Sequence, residues 1–264
     1  MESVEYHQAV ALLAWQVELG ATEALCDAPV NRYALPQKAQ AAPKPEAVDP
    51  VSVAAATVAA AGQAARTEVD PVDLATRAAA AATSLEELRA AIAAFDACEL
   101  RNGARNMVFS DGVAGGRLMV IGDSPTREED RAGKPFVGRE GQLLDRMLAA
   151  IDMSRDSNVY ITSALPWRTP QDRSPRPDEL ALMRPFLARH IALAQPAALL
   201  LVGRWACQAL LGAPNIARLR GTWAEACGLP ALPIFHPTHL MRTPEAKRET
   251  WADLLSLKAR LRDG

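Results

Sequence analysis

The run Leu118-Met119-Val120-Ile121-Gly122 decides the fold. Four apolar residues closed by glycine read as a short strand buried on both faces. Three further runs have the same character: 158–165 (NVYITSAL), 198–203 (ALLLVG) and 232–237 (LPIFHP). Helical periodicity fills the intervals, at 140–152 (Leu143, Leu144, Met147, Leu148, Ile151), 177–195 (Leu180, Met183, Leu187, Ile191) and 204–211. A last helix is expected to open with Thr243 as cap and Pro244 at its first position, carrying Trp251, Leu254, Leu255 and Leu261. Continuous apolar strands alternating with helices predict a four-stranded parallel sheet in a three-layer α/β/α domain. Two prolines add expectations. Pro185 predicts a kink or break in its helix, and Pro233 places the fourth strand outermost in the sheet.

Outward from this block the chain changes character. Residues 2–19 read as an amphipathic helix, with Tyr6, Val10, Leu13 and Val17 on one face and Gly20 as its stop. From Pro36 to Thr83 the composition is Ala, Pro, Gln and Val with acids and almost no aromatics, too little apolar bulk to offset ordering entropy. That stretch reads as a flexible linker, with a loose alanine-rich helix at 72–82 as its one ordered element. Ser84 with Glu87 three residues on then forms a capping-box pattern, opening a helix to about Phe95. The expected organisation is an N-terminal helical segment (1–35), a linker (36–83) and an α/β domain (84–264).

Composition narrows the class. The 264 residues are 49% hydrophobic and 23% charged, as in globular proteins, though alanine rather than aromatics supplies the apolar count. No apolar stretch reaches the roughly 20 residues of a membrane span, and the acidic start MESVEYHQAV is unlike a signal peptide. A cytoplasmic setting without membrane contact is expected. Cys26, Cys98, Cys207 and Cys227 are scattered without a CxxC pair, arguing against a disulfide framework or a zinc ribbon. The net charge is −2, unevenly spread: residues 1–83 hold five bases and ten acids, leaving 24 bases and 21 acids in 84–264. The second part can therefore carry a basic groove for nucleic acid.

Every apolar run ends in chemically loaded residues. The first gives Gly122-Asp123-Ser124-Pro125-Thr126, then Glu128-Glu129-Asp130 and Gly133-Lys134-Pro135-Phe136-Val137-Gly138. The second ends at Ser163 and continues to Trp167-Arg168, the third at Gly203-Arg204, and the fourth at His236-Pro237-Thr238-His239-Leu240. Ligands of open parallel sheets bind just beyond the carboxyl ends of the strands, so all four segments can meet at one pocket. GxGxxG and GxxxxGK[ST] are both missing here, which disfavours dinucleotide and triphosphate cradles. The acids at 128–130 read as a solvated loop, His239 as a surface neighbour, and Phe136, between glycine-containing turns, as displayed.

These segments, in this order over residues 98–262, resemble the uracil-DNA glycosylase superfamily and within it the bacterial family 4. The resemblance runs through Gly122–Asp145, Val159–Ser163, Arg184–Leu187, Leu201–Arg204, Arg220–Trp223, His236–Arg242 and Lys247–Leu254. It implies a monofunctional glycosylase that flips uracil out of DNA, single- or double-stranded, and hydrolyses its glycosidic bond to begin base-excision repair. By the same resemblance Phe136 stacks on the base and the Gly122–Pro125 turn, with Ser124, lines the pocket. His236 donates to a uracil carbonyl, and Asp123 orients or activates water. Leu240, Met241 and Arg242 wedge into the vacated stack, while Arg168, Arg204, Arg242 and Lys247 contact phosphates. A monomer is expected, with residues 2–19 available to a protein partner.

Three departures from the family stand out. Its members hold an iron–sulfur cluster with four cysteines, but here only Cys98 matches and the other positions are Phe95, Trp167 and Met183. No cluster and no other metal is expected, and the site becomes a hydrophobic plug. Trp167 either fills this space or stacks on a neighbouring base. Ser163 stands where the family reads uracil with an asparagine, so a donor–acceptor pair is replaced by one hydroxyl. Asp123, Ser124 and Thr126 replace Glu, Ala and Gly. The rival reading is a weakened or inactive homologue that serves as a DNA-binding repair module.

Overall fold

The computed structural model describes residues 70–263. The expected helix at 2–19, the segment 1–35 and linker residues 36–69 lie outside the described residues. Four parallel strands form the centre: β2 (Leu118–Gly122), β3 (Val159–Ser163), β4 (Ala198–Val202) and β6 (Leu229–Ile234). Two short antiparallel strands flank them, β1 (Asp111–Gly112) against β3 and β5 (Ala224–Ala226) against β6, giving the order β1-β3-β2-β4-β6-β5.

Side chains alternate strictly between the two faces, and each face has its own core. Met119, Ile121, Leu199 and Leu201 enter one cluster, while Leu118, Val120, Leu200 and Val202 enter the other. Over the first face lie α1 (Pro71–Ala81), α2 (Leu85–Ala94), α6 (Pro177–Ala194) and α7 (Arg204–Leu211). Over the second lie α5 (Gly138–Ala149), through Leu144 and Leu148, and α10 (Ala246–Asp263), through Leu254, Leu257 and Leu261. The three-layer α/β/α expectation therefore holds, with a six-stranded mixed sheet around the four parallel strands. Short helices α3 (Leu100–Gly103), α4 (Arg127–Ala132), α8 (Ile216–Leu219) and α9 (Pro237–Arg242) complete the domain.

Four expectations change. The linker does not extend to residue 83. Asp70 accepts from Val72 N at 2.9 Å to cap α1, and Ala75 and Ala79 are buried against the domain. Alanines suit this role, because α1 lies close against α6. Pro185 does not break α6, which runs on to Ala194. An internal proline costs about 3 kcal/mol, but Met183, Phe186 and Leu187 beside it are buried, and burying each contributes about 1.5–3 kcal/mol.

Pro233 is not on the outermost strand. It pairs with Leu201 of β4, and β5 covers β6 only at Leu229–Ala231. The Pro233 carbonyl accepts from Gly221 N at 3.0 Å, so its donor-less nitrogen faces that same side, beyond the end of β5. Finally, Thr243 closes α9 instead of opening the last helix, which begins at Ala246 and leaves Trp251 and Leu255 largely exposed. Ser84 caps α2 as expected, accepting from Glu87 N at 3.2 Å. The Glu87 carboxylate reaches back to accept from Thr83 N at 2.7 Å.

Candidate active site

The carboxyl ends of the parallel strands lie side by side. Gly122 of β2 is in register with Ser163 of β3, and Ala164 N donates to the Gly122 carbonyl at 2.8 Å. A cavity of about 480 Å³ opens at this end, lined by Asp123, Ser124, Gly203, Arg204, Trp205, Phe235, His236 and Arg242 among others.

Phe136 is not displayed. It is 3% exposed and lies directly above Gly122, where a Cβ would meet its ring carbons at 2.6–2.7 Å. Only glycine allows the strand end to approach the ring this closely. The Phe136 ring faces His236, with centroids 5.6 Å apart and planes 28° from parallel. Its backbone has φ +48°, a left-handed conformation that an L-residue keeps only when its surroundings fix it. Glu129 supplies one such constraint. Its carboxylate accepts both Phe136 N and, at 2.6 Å, Thr126 N. The acids at 128–130 are thus not a solvated loop, since Glu129 and Asp130 are buried on α4. Asp130 Oδ1 accepts from Arg105 N and Asn106 N, tying α4 to the preceding loop. Thr126, at φ −78°, caps α4 with Glu129 in a capping box, a position with no need for glycine.

Asp123 has a structural duty that its position after the strand did not announce. Its Oδ1 accepts from Trp205 N at 2.8 Å and Ala206 N at 3.0 Å, capping the first turn of α7 across 82 residues of sequence. A Cβ at Gly203, where φ is +107°, would meet the Asp123 carboxyl carbon at 2.6 Å. Desolvation pushes this carboxyl up to about 6, against the lowering pull of the α7 N–H groups and Arg204.

His236 follows β6 and caps α9. Desolvation holds its imidazole down to about 4, so the ring is neutral at physiological pH. Its Nδ1 accepts from Thr238 N at 3.3 Å and lies 3.0 Å from Thr238 Oγ1. With Nδ1 accepting, the ring proton sits on Nε2, which leaves that nitrogen as a donor. The Phe235 ring meets that of exposed His239 at a tilt of 37°, with centroids 4.5 Å apart.

The remaining expected residues divide. Pro125 and Ser163 are buried beside the strand ends, while Arg204 and Arg242 are exposed and line the cavity. Arg168 is engaged with Asp172 through two bonds of 2.6 and 2.9 Å, as a bidentate pair. Leu240 cannot serve as a wedge without unpacking, because it is 1% exposed in a cluster with Phe235 and Ala246. Met241, 38% exposed, is the displayed apolar residue of that segment. Lys247 borders a separate apolar groove with Leu143, Met147 and Trp251. Sequence reasoning passed over Trp205, which shares the main cavity with Arg204.

Residues 109–255 match the Uracil DNA glycosylase superfamily, and the chain belongs to it. Its likeness inside that superfamily is to type 4. The type-4 uracil-DNA glycosylase of Archaeoglobus fulgidus is 30% identical over 181 residues, covering 64% of this chain and 89% of the relative. That of Thermotoga maritima is 32% identical over 168 residues, covering 62% and 87%.

The residues at the cluster positions do not fit an iron–sulfur centre. Phe95, Cys98, Trp167 and Met183 are all buried in one hydrophobic cluster, where Phe95 meets Phe186 edge-on at 5.1 Å. One thiol replaces the four thiolates that a cubane needs, and burial pushes the Cys98 thiol up, away from the ligating form. Trp167, 3% exposed, fills space there and is unavailable for stacking on DNA. Among the described residues no helix is long and apolar enough to cross a membrane.

Proposed function

We propose that the protein is a monofunctional DNA glycosylase that hydrolyses the glycosidic bond of uracil, or a related deaminated base, after flipping it out of DNA. The observation that carries the reading is the pairing of Phe136 and His236. Loops from two different strands bring an aromatic face and a neutral imidazole together beside the Asp123 cavity.

In this reading the extruded base enters between the strand ends, with the Phe136 ring against its face. The His236 Nε2–H donates to a carbonyl oxygen, and that bond strengthens as negative charge builds on the departing base. The Gly122–Pro125 turn and Ser124 line the pocket, while the Ser163 hydroxyl offers a single hydrogen bond to the base edge. Once ionised, Asp123 lowers the energy of the positive sugar and orients the attacking water. Its own tie to α7 keeps that carboxylate in place. Met241 enters the gap in the stack, Arg242 and Arg168 contact phosphates, the latter after releasing Asp172, and Arg204 does so through the N–H edge of its guanidinium, which leaves the guanidinium face free.

The rival reading, a DNA-binding module with little or no cleavage, is favoured by Ser163, which cannot make a bidentate contact. One assay separates them. The protein is incubated with oligonucleotides containing uracil, hypoxanthine or xanthine, and alkali then cuts at any abasic site. Cleavage of at least one substrate is expected. An intact strand in every case refutes the enzymatic reading.

A further inference from the structure

Trp205 is mounted more firmly than a surface aromatic needs to be. It occupies the first turn of α7, its N–H is held by Asp123, and one flank packs on the core beneath the sheet. The Arg204 guanidinium carbon lies 4.1 Å from the Trp205 ring centroid. Arg204 is exposed, and both residues line the same cavity as His236. A cavity of about 480 Å³ falls in the range that encloses a drug-sized ligand, larger than one pyrimidine. Guanidinium planes and indoles are both surfaces on which unpaired bases stack.

We infer that Arg204 and Trp205 form a stacking subsite for the base that neighbours the extruded one in single-stranded DNA. This rests on the glycosylase reading above and deepens it. A neighbouring base is free to turn onto the platform only where no opposite strand holds it, so the subsite gives a preference for single strands. Asp123 is then a positioning residue for the platform as well as part of the pocket, because one carboxylate fixes both.

The test uses the full chain and single-stranded oligonucleotides bearing an uncleavable 2′-fluorinated deoxyuridine. One of the two neighbouring nucleotides is replaced by an abasic spacer, and Kd is read by fluorescence anisotropy. On one side the spacer is expected to weaken wild-type binding about 5- to 100-fold, the range of a lost base–aromatic stack. In Trp205→Ala the same spacer should cost less than twofold, and Trp205→Phe should restore the penalty. If Trp205→Ala fails to fold, Arg204→Gln takes its place and should shrink the penalty. Wild-type indifference to spacers on both sides overturns the proposal, as does a full penalty in the variants. An equal penalty in paired duplex overturns the single-strand assignment. Binding with a Trp205-dependent penalty but no release of uracil, hypoxanthine or xanthine from cleavable oligonucleotides keeps the subsite and refutes the glycosylase reading. Release without any penalty does the reverse.

Discussion

Replacing Asp123 by asparagine should make the protein more stable and less active. The wild-type carboxyl titrates at about 6 in the folded chain against 3.8 for an ordinary aspartate, because it is desolvated beside Gly203 and α7. A raised folded value means that the native state holds the proton more tightly. The stability this contributes is full below pH 3.8 and is lost as pH rises from there through 6. Above pH 6 the ionised group costs about 3 kcal/mol, two units at about 1.4 kcal/mol each. Asparagine keeps an Oδ1 for the Trp205 and Ala206 N–H groups but never ionises. The variant should therefore gain on the wild type as pH rises, by about 2 kcal/mol between pH 4.5 and 7.5. Urea denaturation of both proteins across that range measures the difference and cancels titrations they share. On the same logic, wild-type kcat/KM should fall about tenfold per pH unit below 6 as Asp123 protonates. His236, neutral down to about 4, should add no limb near 6.5. A variant that is less stable at every pH, by a constant amount, would refute the desolvation argument.

Other outcomes follow from the same geometry. Ser163→Asn, restoring a donor–acceptor pair at the end of β3, should raise uracil release about 5- to 100-fold, the worth of one bidentate base contact. Oligonucleotide cleavage rates read it, and no gain would show that Ser163 is not at the base edge. Trp167→Ala should cost about 3–5 kcal/mol of stability through the hole it leaves in the core, measured by urea denaturation, while Kd for DNA stays within twofold. Deleting residues 1–69 should preserve cleavage of a short oligonucleotide. Deleting 1–83 should lower the melting temperature, since it removes the buried Ala75, Ala79 and Ala82.

Three of the four parallel strands, β2, β3 and β4, were legible because each is buried throughout, leaving five consecutive residues with one reading. Ser84 was legible as a cap because its partner is three residues away. What escaped lacked a local signal. The strands β1 and β5 are two and three residues long, too short for periodicity to register. Helix α1 was legible as an alanine-rich helix, but its packing against the domain was not, because its buried residues are alanines, whose small size is the reason they can pack closely. The Asp123–α7 cap joins residues 82 apart, and Glu129 holds Phe136 from a stretch whose three adjacent acids looked solvated. Residues that would do chemistry showed up as types at strand ends; those that hold them in place emerged only from tertiary contacts.

The packed corner around Cys98 also limits what can be changed there one residue at a time. Phe95, Trp167 and Met183 are held by shape, each filling space that the others leave. Changing any one of them to cysteine opens a void before there are four thiolates to bind iron. Each single step therefore loses packing and gains no metal site, so the three positions are coupled through volume rather than through a shared ligand.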